Sequence, residues 1–197
     1  MKKTLYFKIA CLSLTAVSLL SSCLKDNSHY VDYSGVGTLI DLPLTEPTYS
    51  SPAPNGVFQE PTYTLGSADT IVVAVNEANP VPLNSAVNVT LSTTDVTTLN
   101  SYNAANGTTY TLMPSTDYTV IGTLTVTIPA NQRLAFLKIV INTAAIGTEN
   151  TNYVLPVTIE SASGEPIAQP YKAILYNVTV VSADDGAYRL KNTAITK

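Results

Sequence analysis

The sequence predicts an all-β fold, an antiparallel β-sandwich with one short crossover helix at about residues 94–106. Three observations carry that prediction. Charged residues make up only 12% of the 197-residue chain, too few for the Glu-, Lys- and Arg-rich surfaces of a helical bundle. Hydrophobic residues make up 45%, the share of a globular domain rather than a disordered one. From Thr62 onward apolar residues recur at every second position, the period of a half-buried strand.

The first segment fixes a location. Lys2, Lys3 and Lys8 flank the start of an apolar stretch from Ile9 to Leu20, which has the charge and length of a secretory signal and is short for a bilayer span. Leu20-Ser21-Ser22-Cys23 follows and resembles the lipobox of bacterial lipoproteins. The resemblance implies that residues 1–22 are removed and that Cys23 is acylated, which anchors the chain in a membrane through its fatty chains. Cleavage also removes Cys11, so no thiol is left for a disulfide and cohesion must come from the core. Basic residues fall from 10 to 7 against 14 acidic ones, a net charge near −7 that does not favour nucleic acid. Leu24-Lys25-Asp26-Asn27 reads either as a plain polar tether or as a resemblance to the export signals of Bacteroidetes surface lipoproteins. The second reading implies an outer-membrane anchor facing the cell surface.

Residues 23–61 are expected to form the lipidated tether. Pro43, Pro47, Pro52, Pro54 and Pro61 punctuate it, and one short strand is expected within residues 36–42. The sandwich is expected over residues 62–182. Its strands are read from Ile71, Val73 and Val75; from Val87, Val89 and Leu91; and from Leu124, Val126 and Ile128. In the run from Ala135 to Ile141, Lys138 must face water, which turns Leu137, Ile139 and Ile141 inward and Phe136 and Val140 outward. That outward strip either docks a partner or lies under the helix. Leu155, Val157 and Ile159 point inward on the next strand, where Pro156 requires an edge position or a bulge. Ile174, Tyr176, Val178 and Val180 share one face of the last. The helix is expected to carry Val96, Leu99 and Tyr102 as its buried stripe, Thr94 as N-cap, Asp95 at its positive end and Gly107 as a left-handed C-cap.

Several of these residues carry a resemblance. Leu99, Tyr102-Asn103, Asn106-Gly107, Tyr110, Leu112, Pro114 and Tyr118 precede Val126-Thr127-Ile128-Pro129, and Tyr153-Val154-Leu155-Pro156-Val157 comes later. This order is similar to the immunoglobulin-like N-terminal domain of Bacteroidetes lipoproteins, domain-of-unknown-function family 1735. The resemblance implies an immunoglobulin-like sandwich placed ahead of a lipocalin-like, discoidin-like or glycosidase module, with a role in capturing glycans at the cell surface. Residues 183–197 read either as a tail or as the opening of such a second module.

The chemistry expected is binding rather than catalysis. His29, the one imidazole, falls in the tether. Asp69, Glu77, Asp95, Asp117, Glu149, Glu160 and Glu165 are scattered and are expected mostly at solvated turns, not as a paired glycosidase set. No motif for a metal or cofactor is present. With no Trp and 12 Tyr, sugar stacking would fall to tyrosines near loops: Tyr49, Tyr63, Tyr171 and Tyr188. Tyr102, Tyr110 and Tyr118 are expected in packing roles. Asp69-Thr70-Ile71 fits a short O-glycosylation motif, with Thr70 either modified or tied into a strand. The partners expected are the membrane and a polysaccharide or glycan-uptake proteins. The competing reading is a structural or adhesive, fimbria-type subunit that joins its neighbours by strand exchange.

Overall fold

A computed structural model describes residues 37–43, 57–148 and 152–184, all within a unit that begins at Gly37. The strands are β1 (Leu39–Asp41), β2 (Val57–Gln59), β3 (Thr62–Thr64), β4 (Ala68–Ala78), β5 (Val87–Ser92), β6 (Thr111–Leu112), β7 (Tyr118–Ile121), β8 (Thr125–Ile128), β9 (Leu134–Asn142), β10 (Tyr153–Ala162), β11 (Ala173–Asn177) and β12 (Thr179–Val181). Helix α1 (Val96–Asn106) follows β5, and a single turn, α2 (Thr143–Ile146), follows β9.

The long strands form an immunoglobulin-like sandwich of two sheets. One has the order β1-β4-β9-β7; the other has the order β2-β11-β10-β5-β8, with β6 also pairing β10. The core lies between them and is built of the inward residues that the alternation predicts. Ile71, Val73, Val75, Val87, Val89, Leu91, Leu137, Ile139, Ile141, Leu155, Val157 and Ile159 are all buried there. β-branched side chains dominate because they fit a pleated surface at little rotamer cost.

The sandwich starts earlier than residue 62. The expected tether contributes β1, the short strand expected within residues 36–42, which pairs β4 and buries Ile40, and also β2, which pairs β11. β2 and β3 run parallel to β11 and β12 in one unbroken register, from Val57↔Ile174 to Thr62↔Thr179, and the N–H of Thr179 donates to the carbonyl of Pro61 across the join. Thus the antiparallel expectation holds for the long strands, while three short pairings, including β6 with β10, are parallel.

Pro156 sits in a central strand, not at an edge. Backbone groups alternate sides along a strand. The N–H of Ile159 donates toward β11, to Lys172, whereas the carbonyl of Val154 accepts from Met113 on the opposite side. The N of Pro156 therefore faces that opposite side, where β6 pairs only to Val154 and β5 begins only at Thr158. The missing donor falls in the gap between two partners. β10 also carries a bulge, between Ile159 and Ser161.

Helix α1 lies on the outer face of the six-stranded sheet, where Leu99 packs against Val154 and Leu175. Its N-cap is Asp95 and not Thr94: the Asp95 carboxylate accepts from the Thr98 N–H at 3.0 Å and from the Thr98 hydroxyl at 2.5 Å. The N–H of Thr94 is instead held by Ser92 Oγ. Gly107 closes the helix at φ 67°, the left-handed conformation that glycine adopts without penalty. Val96 is 47% exposed, so the buried stripe shortens to Leu99 and half-buried Tyr102. α2 went unpredicted. It is capped by the Asn142 side chain, and its Thr143 hydroxyl accepts from the Gly66 N–H and donates to the Ser67 carbonyl.

Candidate functional site

Of the residues singled out from sequence, Cys23, Tyr49 and Tyr188 lie outside the described residues, as does His29. Thr70 is exposed on β4, opposite Val140 of β9, with its side chain on the outer face. Tyr63 is half-buried on β3 and packs against the core. Burial raises its phenol pKa, and the nearby charge of Asp69 adds to that. Tyr171 ends the 3-10 turn Gln169–Tyr171 and is half-buried, its carbonyl accepting from Leu42.

Tyr102 and Tyr110 serve packing, together with a residue that sequence reading left in the tether. Phe58 stacks on Tyr102 at 4.7 Å between centroids with an 8° interplanar angle, and meets Tyr110 at 5.1 Å. Burial, then Tyr110, then Glu60 raise the Tyr102 pKa. Asn103 holds this trio in place. Its Nδ2 donates to the Tyr110 carbonyl, and its Oδ1 accepts from the Tyr110 N–H and the Thr108 hydroxyl. Tyr118 donates its hydroxyl to Thr93 Oγ1 at 3.1 Å.

The carboxylates among the described residues are not all where the sequence puts them. Two that were expected at solvated turns are buried: Glu77 at 1% exposure and Asp117 at 4%. Both are used locally, Glu77 accepting from the Leu83 N–H and Asp117 from the Thr116 hydroxyl. Among the described residues no three His, Cys, Asp or Glu side chains gather into a metal site, and no helix is long and apolar enough to cross a membrane.

An exposed apolar surface lies on the other sheet. Phe136 points outward as Lys138 requires, at 54% exposure, and is not covered by α1, which occupies the opposite sheet. Val72, Ile121 and Leu134 are exposed at 49%, 53% and 44%. β7 pairs β9 only as far as Ile121↔Lys138; Gly122 then turns at φ 87° and the chain crosses to β8 in the other sheet. A groove of about 370 Å³ remains between β8 and the first half of β9. Its lining includes Ile121, Thr125, Thr127, Leu134 and Phe136, and contains no carboxylate, side-chain amide or guanidinium group. Sequence reading found Phe136; the groove depends on where β7 leaves its sheet, and Gly122 was its only local sign.

A family model described as a "-like, N-terminal domain" matches residues 45–166, more than half of the chain. No curated protein matches the sequence. Solved structures share the fold at low identity. A candidate carbohydrate-binding protein of Bacteroides ovatus aligns with a TM-score of 0.54 at 15% identity, over 72% of this chain and 36% of its own. A B. ovatus protein of unknown function aligns at 0.57 and 20% identity, over 76% of this chain and 48% of its own. A multidomain B. ovatus protein that includes domain-of-unknown-function family 1735 aligns at 0.55 and 18% identity, over 75% and 47%. This chain therefore spans less than half the length of each of these three.

Proposed function

The chain belongs to that family of N-terminal domains, and from this premise we propose that it is the non-catalytic sandwich module of a lipid-anchored envelope protein that takes part in glycan capture. The observation that carries the reading is the combination of family and coverage. The fold recurs as about a third to a half of longer Bacteroides proteins, one named for carbohydrate binding and one carrying family 1735. In this reading the chain is itself a member of family 1735. Cys23 holds it to the outer membrane, the acidic residues keep it off anionic surfaces, and the sandwich displays a binding module or a ligand at the cell exterior. Thr70, exposed on β4, is available for a glycan.

Two measurements test this. Labelling of cells with an alkyne palmitate analogue should mark the chain and should not mark a Cys23→Ser variant. The full chain in detergent, applied to a polysaccharide array, should retain bacterial or dietary glycans. Retention of none would remove the glycan reading while leaving the anchor in place, and an unlabelled chain would remove the anchor.

A further inference from the structure

We infer that the groove between β8 and β9 is an acceptor for one extended polypeptide strand of a partner protein, apolar at alternate positions and acidic at the end that meets Lys138. The inference stands apart from the glycan reading. It starts from the backbone. The carbonyl of Arg133 accepts from Glu77 on β4, so the odd-numbered residues of β9 direct their backbone groups at β4. The even-numbered residues face the other way, as the Asn142 N–H does in donating to Asp117. Lys138 pairs with Ile121, the last residue of β7. Leu134 and Phe136 therefore aim their N–H and C=O groups along the vacated lane, and among the described residues they have no strand on that side.

The occupant follows from what the lane offers. Four residues of open edge, Leu134 to Leu137, extend about 13 Å, the length of one short strand. An added strand would continue the line of β7 and place alternate side chains on Ile121 and Phe136. Lys138, exposed where β7 stops, complements an acidic residue at one end of the incoming strand, whereas the Arg133 guanidinium is held by the carbonyls of Asn79 and Pro80 on the β4 side. Natural sheets protect such edges with bulges, prolines or inward charges; Leu134 to Leu137 carries none of these.

The test uses the full chain in detergent, labelled with ¹⁵N, and a seven-residue peptide of alternating valine and threonine with aspartate at one end. The expected result is movement of the Leu134 and Phe136 amide signals on titration. N-methylation of alternate peptide nitrogens should weaken binding about tenfold, as loss of one or two hydrogen bonds implies. Lys138→Glu should weaken it as well, and Phe136→Lys should abolish it, with circular dichroism unchanged in both. Four results would overturn the inference: no amide movement with the peptide; equal binding of the N-methylated peptide; movement of those amides by oligosaccharides alone; or movement with protein concentration alone, which would assign the lane to a second copy.

Discussion

The two sheets share one core yet treat their outer faces differently. In the four-stranded sheet, β9 alternates strictly: Ala135, Leu137, Ile139 and Ile141 are buried while Leu134, Phe136 and Lys138 are exposed. In the six-stranded sheet, Val154 to Ile159 of β10 and all of β11 are buried on both faces. The cause is the cover. Leu99 of α1 and the stacked rings of Phe58, Tyr102 and Tyr110 turn one outer face into a second small core, whereas the other sheet meets solvent directly. Strand alternation thus reports not only that a strand exists but how many of its faces are occupied. The bare sheet is the one with residues to spare for a partner.

The largest effect should come from removing the cover. Leu99→Ala takes away the one fully buried side chain of α1 and should cost about 2–5 kcal/mol in urea denaturation. If the loss were below 1 kcal/mol, the cover would be a loose flap rather than a core. A more controlled comparison uses one substitution at two outward positions. Val154→Thr places a hydroxyl at a site with no solvent exposure and should cost about 1–3 kcal/mol. Val72→Thr, on the bare sheet, keeps the β-branch and should stay within about 0.5 kcal/mol. Equal costs at the two sites would erase the distinction between the sheets.

The cover's attachment has its own test. The Asp95 carboxyl is partly buried, which by itself would raise its pKa. Hydrogen bonds from the Thr98 hydroxyl and N–H, with the charge of Lys172, outweigh this and lower it. A lowered folded-state pKa stabilises the fold at pH values above the ordinary carboxylate range, and the contribution fades as pH falls through it. Asp95→Ala should therefore cost about 1 kcal/mol at neutral pH, as for other N-caps. The variant should lose less stability than the parent between pH 5 and pH 3. A parallel pair of acid denaturation curves would show that Asp95 is not the cap that matters.

Much of this was legible in the chain and some was not, for physical reasons. The period-two runs at Ile71–Val75, Val87–Leu91 and Leu137–Ile141 give both strand and face, because a buried face tolerates no slip in register. Lys138 alone was enough to orient Phe136. The helix was legible from its caps and from Leu99, but Thr94 and Asp95 are both good N-caps, and only the hydrogen bonds to Thr98 decide between them. β1 was legible as the short strand within residues 36–42, though not its pairing with β4, whereas β2 is three residues long and too short to show a period; their partners sit 37 and 117 positions further along the chain. The groove is a still more distant property. It exists because β7 stops pairing at Ile121 while β9 continues, and nothing within either strand's own sequence marks that mismatch. Tyr49 and Tyr188 lie outside the described residues, while Tyr63 packs against the core and Tyr171 is half-buried at the end of a 3-10 turn, placements that depend on the fold and not on their neighbours in sequence.

The smallest effect at neutral pH should come from the layer that both sheets share. Tyr176 is 5% exposed in the inter-sheet core, and its hydroxyl has no hydrogen-bond partner among the described residues. Burial, with a lesser contribution from Tyr63, raises its pKa far above the ordinary phenol value. A raised folded-state pKa leaves the associated stability intact below the unfolded-state pKa, near 10, and removes it progressively as pH rises beyond. Above that point the unfolded chain gives up a proton that the native core retains. Tyr176→Phe should change stability by no more than about 1 kcal/mol at pH 7, since it deletes a buried polar atom that makes no bond. At pH 11 the variant should outlast the parent in the same denaturant series. If both chains lose stability in parallel there, the hydroxyl is wetter than its burial implies. The inner core would then be less dry than the small core beneath α1, which reverses the ranking of the two layers.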